Sequence, residues 1–424
     1  MRITGLELSR QTTKSKGLME SWSRKAVHAL LSRITRGRLV LEEEGQVTEF
    51  GNAVGDSDLK AHIVVRDAAA FECVLRNGSI GAGEAFMLDY WDSPDLLQVV
   101  RLFVLNMNAL DAMGQKQPML RKVAGKLMHM FRKNTLSGSR KNISAHYDLS
   151  NQFFSHFLDN TMAYSSGIFK SEKDDLFTAS ENKFRHICER LQLKSNDHLL
   201  EIGTGWGGLA IYAAKHFGCK VTSTTLSHEQ YCYARDWVKS EGLEDRITLL
   251  EKDYRDLPEL NARFDKLVSV EMIEAVGAEF YSEYFRLCSA LLKKDGLMLI
   301  QAITISDQRF EQSVGNPDFI KKYIFPGGQL PCNKVITRHI AEDTDMQLIG
   351  LEDITHDYAR TLGAWRERFF ANIEKIKALG TDNVFIRMWQ YYLCFCEGGF
   401  QERVIHTGQF LVAKPEFRNL PRIQ

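Results

Sequence analysis

The chain lacks an excess of charge of either sign: 54 Lys and Arg stand against 54 Asp and Glu in 424 residues. No overall field therefore points to a nucleic-acid partner, and none is expected. It also lacks any run of the ~18 apolar residues that a membrane span requires. The opening stretch MRITGLELSRQTTKSKG has no apolar core of the signal-peptide kind. The eight cysteines, Cys73, Cys188, Cys219, Cys232, Cys288, Cys332, Cys394 and Cys396, lack CxxC pairing and histidine neighbours at ligand spacing. That argues against a structural zinc site or a disulfide framework, so no metal is expected and a reducing, cytoplasmic compartment is. What is present is globular in balance, 44% apolar and 25% charged, which excludes disordered and collagen-like chains. The length predicts two or three domains.

The neutral total hides local imbalance. Residues 112–147 contain no acid but carry Lys116, Arg121, Lys122, Lys126, Arg132, Lys133, Arg140 and Lys141. Within them MLRKVAGKLMHMFRK reads as an amphipathic helix, with Leu120, Val123, Leu127, Met130 and Phe131 near one face. Such a helix suits an anionic membrane surface, and it equally suits an ordinary core-packed surface helix. The segment 14–38 repeats the pattern, with seven basic residues against Glu20 alone.

Between the two basic stretches, GRLVLEEEGQVTEFG and LKAHIVVRD read as strands joined by Gly and Asp turns. With the helix-like DLLQVVRLFVLNMNAL they predict a small α+β domain over about 37–112, within an N-terminal part spanning 1–133. The polar NTLSGSRKN predicts a linker at 134–141. From 142 to 424 short apolar strands alternate with helices. The strands are expected at 198–203, 220–225, 247–251, 264–271, 297–304 and 408–415, and the helices at 206–217, 227–241 and 278–293. This alternation predicts an α/β fold with a mostly parallel sheet covered on both faces, interrupted by a lid-like insertion near 305–345.

The sharpest motif is Leu199-Leu200-Glu201-Ile202-Gly203-Thr204-Gly205-Trp206-Gly207-Gly208, at a strand end opening a helix. Glycines there permit a tight turn and close approach of a ligand to the backbone. A dinucleotide site expects an acid at the tip of the second strand. Here that tip is Thr224-Thr225-Leu226-Ser227. The acid is instead Glu201, two positions before the first glycine, a pattern suited to the amino-acid end of S-adenosylmethionine (SAM). A plain tight turn and a dinucleotide site remain the alternatives at this level. Asp253-Tyr254, after the third strand, offers an acid and a ring for an adenine, or an ordinary helix cap.

Nine motifs in register resemble the cyclopropane-fatty-acyl-phospholipid synthase family, which is related to the mycolic acid cyclopropane synthases. They are His146-Tyr147-Asp148-Leu149-Ser150-Asn151, Met162-Ala163-Tyr164-Ser165, EIGTGWGGLA, TTLSHEQ, KDYRDL, SVEMIEAVG, KYIFPGGQLP, DYARTLGAWRERF and YYLCFCEGGF. The resemblance implies a Rossmann-like SAM-dependent methyltransferase domain behind the smaller N-terminal domain. It implies methyl transfer from SAM to the double bond of an unsaturated acyl chain on a phospholipid, then proton loss that closes a cyclopropane ring. Proton loss elsewhere gives a methylated alkene, and a non-catalytic lipid-binding protein with a relic fold is the rival from another class.

By the same resemblance Tyr164 and Ser165 meet the methionine end of SAM, and Leu200, Glu201, Ile202, Gly203, Thr204, Gly205, Trp206 and Gly207 wrap it. Thr225, Leu226, Ser227 and Gln230 lie at its ribose and adenine side, with Asp253 and Tyr254 beyond. Glu274 matches the family's essential carboxylate, Tyr358 a tyrosine beside it, and Cys396 a cysteine often assigned as active. A bound bicarbonate is the family's base. This chain departs from the pattern where that base is held: Gln301 stands in place of a histidine, Ser166 in place of a cysteine, and Glu271 in place of a glycine. An added carboxylate facing the same pocket disfavours an anion there.

A phospholipid acyl chain lies inside a bilayer. The resemblance therefore implies a cytoplasmic protein that docks peripherally on membranes, using the basic segments. Tyr323 and Phe325 of the insertion are expected along the lipid path. The N-terminal domain is expected to present lipid or to form a homodimer.

Overall fold

The computed structural model describes residues 13–51, 59–111 and 150–418. The basic helix and linker expected at 112–141, and His146–Leu149, lie outside the described residues. Among those described, residues before 112 join Pro317–Ile324 and Phe369–Val404 in one compact unit. Residues 150–316, Phe325–Arg368 and 405–418 form the other.

In the first unit β1 (Arg38–Glu43), β2 (Gln46–Phe50), β3 (Lys60–Val65) and β4 (Trp91–Asp92) form a sheet in the order β2-β1-β3-β4. The β1–β2 hairpin turns through Glu44 and Gly45, both at positive φ (51° and 77°), as a tight two-residue hairpin turn requires. Helices Ala69–Met87 and Leu96–Leu105 belong to the same unit.

The helix Asn383–Gln401, which carries YYLCFCEGGF, also belongs to this unit, although the motif reads as part of the domain expected over 142–424. Its packing explains the difference. Arg387 donates to the carbonyls of Phe86 and Trp91 and lies 3.9 Å over the Phe86 ring. Gly398 sits so close to Val100 that a Cβ would come within 2.8 Å of it. Tyr323, expected along a lipid path, donates its hydroxyl to Glu84 at 2.7 Å within this unit.

The second unit holds β5 (His198–Ile202), β6 (Lys220–Thr224), β7 (Ile247–Leu250), β8 (Phe264–Val270), β9 (Leu292–Ile305), β10 (Gln347–Asp353) and β11 (Ile405–Ala413) in the order β10-β11-β9-β8-β5-β6-β7. The pairs β5–β6, β6–β7, β5–β8 and β8–β9 are parallel, while β11 runs antiparallel to β9 and β10. Leu199, Leu200, Leu267, Val268 and Leu297–Ile300 are buried because helices cover both faces. The strands and helices expected from the alternating pattern are all present, within a few residues. The added edge strand β10 was not expected. Among the described residues it pairs with β11 alone, and its half-exposed residues show no core signature. The expected insertion contains the helices Asp307–Ser313 and Asn333–Asp343 and a short π-helix, Ile320–Ile324.

The strand order reverses between β5 and β8. In such sheets ligands bind outside the carboxyl ends of the strands at that point. The loops after β5 and β8 diverge there, and they carry Gly203–Gly207 and Glu271–Glu274. No helix among the described residues is long and apolar enough to cross a membrane.

Candidate active site

The loop after β5 is shaped by its glycines. Gly203, Gly205 and Gly207 take φ of 101°, 53° and 97°, a region that side chains disfavour. The N–H groups of Gly203 and Thr204 both donate to the carbonyl of Thr224, tying the loop to β6. A Cβ on Gly205 would meet nothing within 4 Å, so the loop has an open side. A Cβ on Gly203 would lie 3.5 Å from Met272, which sets the loop beside the segment after β8. This cradle fits SAM.

The other residues expected at the cofactor fall into distinct roles. Leu200 and Ile202 are core residues of the strand. Glu201 is fully buried and accepts from the Ser223 hydroxyl, which also bonds Thr204 Oγ1 at 2.6 Å. Burial pushes the Glu201 carboxyl up to about 8. Its Oε2 is thus bonded internally behind the loop, and the carboxyl holds its proton to higher pH than a free glutamate. Trp206 donates to Asn151 Oδ1 at 2.7 Å and packs 4.9 Å from the Phe154 ring.

Beyond β6, Thr225 Oγ1 donates to Gln230 Oε1 (3.0 Å) and accepts from Ser227 N (3.1 Å). Ser227 caps the helix His228–Ser240, and Leu226 between them is half-buried. This knot holds the second strand tip in shape. Asp253 caps the turn Tyr254–Leu260 and binds Arg255 through both carboxylate oxygens (2.8 and 2.7 Å), the helix-cap alternative. Tyr254 is buried, its ring 5.5 Å from that of Tyr284.

Tyr164 sits in an aromatic cluster with Phe154 (5.4 Å), Trp365 (5.2 Å) and Phe325 (6.4 Å). The helix Thr355–Ala371 fastens this segment. Asp357 accepts from Phe169 N, Thr361 from Gly167 N, and Arg368 donates to the carbonyls of Phe157 and Leu158. The DYARTLGAWRERF motif thus places one helix face along residues 157–169.

Three of the residues flagged by departure or resemblance converge on a fourth, the carboxylate of Glu271. Glu271 Oε1 accepts from Ser166 N at 3.0 Å and from Gln301 Nε2 at 2.7 Å. Glu271 Oε2 accepts from the Tyr358 hydroxyl at 2.7 Å. Its backbone N–H also donates to the Gln301 carbonyl. The Ser166 hydroxyl itself turns away to the Gly167 carbonyl. Bicarbonate does not fit beside these partners, because Glu271 already engages the donors expected to hold it.

Glu274, on the same loop, accepts from Ile303 N through Oε1, while its buried Oε2 has no partner. Burial, and then the Glu271 charge, push its carboxyl up to about 8. Burial also raises Glu271, opposed by its three donors and by Lys183. Donors that satisfy an anion favour ionised Glu271 and leave Glu274 to hold the proton, two carboxyl groups with separate roles. Cys396 lies on the helix Asn383–Gln401 of the first unit, and burial holds its thiol far above the thiolate range, the condition of an inert thiol.

Two site residues were not anticipated. Gln409 on β11 faces Gln301 in register and donates to its Oε1 at 2.9 Å, so the Gln301 amide must offer its NH₂ to Glu271. Only strand pairing reveals that contact. Lys183 is fully buried and donates to Ser165 Oγ at 2.6 Å. Burial lowers its ammonium to about 8, against the pull of Glu271 and Asp159. Its signal was readable: Leu176, Ala179, Ser180, Lys183, Phe184 and Ile187 form the buried face of one helix.

With this geometry in view, the model of the mycolic acid cyclopropane synthetase family matches residues 134–410. The tuberculostearic acid methyltransferase of Mycobacterium tuberculosis is 34% identical over 373 residues, 86% of each chain. The cyclopropane-fatty-acyl-phospholipid synthase of Escherichia coli is 37% identical over 359 residues, 84% of this chain and 88% of that one. A mycolic acid cyclopropane synthase crystallised with SAH and CTAB superposes with a TM-score of 0.60 at 29% identity, covering 65% of this chain and 98% of that one. The chain therefore belongs to the mycolic acid cyclopropane synthetase family of SAM-dependent methyltransferases.

Proposed function

We propose that the chain methylates the double bond of an unsaturated fatty acyl chain on a phospholipid, and that proton loss from the resulting cation closes a cyclopropane ring. When bound in the glycine cradle, SAM supplies an electrophilic methyl group. An alkene is a weak nucleophile, so the site must align it closely and exclude water. The aromatic cluster of Tyr164, Trp365 and Phe325 supplies an apolar wall beside the loop. The observation that carries the reading is the ring of Ser166, Gln301 and Tyr358 donors around one carboxylate, with Glu274 on the same loop. A cation formed there meets negative charge and a proton acceptor, as the reaction needs.

The same observation favours a second product. A base fixed to the chain reaches only certain protons. Removal of one from a carbon other than the new methyl leaves a methylated alkene. Delivery to a bilayer is assigned to the basic stretches 14–38 and 112–141, which suit peripheral docking on anionic lipid.

The test is incubation of the protein with SAM and vesicles of monounsaturated phospholipid, followed by mass spectrometry and proton NMR of the lipid. A gain of one CH₂ with upfield ring protons establishes the cyclopropane. The same gain with olefinic protons retained establishes the methylated alkene. No gain, with SAM still bound, refutes the acyl acceptor.

A further inference from the structure

We infer that Glu271 is the resident general base of the reaction, so that turnover needs no dissociable anion. The inference rests on the acyl-methylation reading above and names the group that completes it.

Three observations carry it. The first is occupancy. Both oxygens of Glu271 are engaged by donors from three separate elements: the segment at Ser166, strand β9 at Gln301, and the helix bearing Tyr358. A buried carboxylate in such a cradle is preorganised as an anion. The second is backbone strain. Glu271 sits at φ 51°, a left-handed conformation that a side chain disfavours and glycine accepts freely. Strain of this kind persists where the side chain is needed. The third is location. Ser166 follows Ser165, Met272 follows Glu271, and Met272 lies beside Gly203 of the cofactor loop. The carboxylate is thus at the junction of the segments that enclose the cofactor cradle.

Charge around it is arranged for one anion. Lys183 reaches the Ser165 hydroxyl from behind, and its charge favours ionised Glu271. Glu274 and Asp159 are the other carboxyls bearing on the pair, and Tyr358 the other titratable donor. Gln301 cannot itself accept a proton in exchange, so it holds Glu271 without competing with it.

The step balances without an oxidant or a second reagent. The alkene electron pair forms the new C–C bond as the sulfur–methyl bond breaks, leaving a cation at the neighbouring carbon. Then either a C–H bond of the new methyl group breaks and its electron pair closes the ring onto the cationic carbon, or a C–H bond on a carbon next to the cation breaks and its pair restores an alkene; in both cases the proton goes to Glu271. Release of that proton to solvent resets the site.

The experiment compares wild type, Glu271→Gly and the isosteric Glu271→Gln, in buffers stripped of carbon dioxide and with added formate or bicarbonate. Wild type is expected to turn over equally in all of them. Both variants are expected to lose about 10²–10⁴-fold in turnover, the range of a general base. Formate or bicarbonate should restore Glu271→Gly, whose vacated cradle admits an anion, and leave Glu271→Gln inactive. A readout without SAM or lipid accompanies this: formate should raise the melting temperature of Glu271→Gly and leave wild type unmoved. Stimulation of wild type by bicarbonate, turnover by Glu271→Gln, or absence of the formate effect on Glu271→Gly melting would overturn the inference. Failure of the acyl-acceptor reading shows separately, as wild type that methylates no unsaturated lipid. The melting measurement still decides whether the Glu271 cradle is an anion site.

Discussion

The Tyr358 hydroxyl donates to Glu271 Oε2 at 2.7 Å from a helix 87 residues further along the chain. A hydrogen bond to a charged group contributes ~1.5–3 kcal/mol. Tyr358→Phe removes a donor that favours the anion, so Glu271 holds its proton to higher pH. Turnover should fall by roughly 10–100-fold, the acid limb of the pH–rate profile should move upward, and SAM affinity should stay unchanged. Steady-state rates between pH 5.5 and 8.5, with a SAM titration, check all three.

Gln409 acts one contact further out. Its amide fixes the orientation of Gln301 through Oε1. In Gln409→Leu the Gln301 amide is free to turn its oxygen toward Glu271, replacing attraction by repulsion. The loss of about one charge-assisted hydrogen bond predicts a fall in turnover of roughly tenfold or more. Gln409 bonds Gln301 on the neighbouring strand rather than the glycine loop, so the dissociation constant of SAM should not move, and the two measurements together separate positioning from misfolding.

Lys183 supplies the buried positive charge beside Glu271. Lys183→Met keeps an unbranched side chain, one atom shorter, and removes that charge. Glu271 then ionises less readily, and the acid limb should shift to higher pH, as in Tyr358→Phe. An uncompensated buried carboxylate is costly, so the variant should lose more stability at pH 8 than at pH 6. Urea midpoints at the two pH values test the sign.

Glu201 is a buried acid with its carboxyl pushed up to about 8, above the ~4.3 of a free glutamate. The folded state therefore binds a proton that the unfolded state releases. Its contribution is fully present below the unfolded value and is lost as pH rises through about 8. Wild-type stability should decline between pH 5.5 and 8.5. In Glu201→Gln, which stays neutral throughout, the decline should be shallower. Equal slopes in the two proteins would show that Glu201 ionises normally.

The acid-poor stretch at 112–147 carries the docking prediction. Each Lys or Arg near an anionic surface contributes ~1 kcal/mol. Replacing Arg121, Lys122 and Lys126 together with Gln should weaken binding to anionic vesicles on the order of 100-fold. Binding to zwitterionic vesicles should change little. Co-sedimentation at two salt concentrations measures it.

Much of this molecule follows from sequence patterns acting over short range. The strand–glycine–helix turn at 198–208 is legible because left-handed backbone demands glycine and buried parallel strands demand apolar runs. The alternation that follows is legible because its two periodicities differ. The partners of Ser166, Gln301 and Tyr358 are not legible in that way. Glu271 stands out only as an acid where a glycine was expected, and nothing in its neighbourhood says which way it faces. Gln409 and the membership of the helix Asn383–Gln401 in the N-terminal unit depend on pairings between residues a hundred or more positions apart. The sequence by itself determined the chemistry through nine motifs and the family they resemble, because glycine turns and apolar strands are written in short stretches of chain. Tertiary structure alone decided which carboxylate stands among the donors, because a hydrogen-bond cradle exists only where distant strands and helices converge.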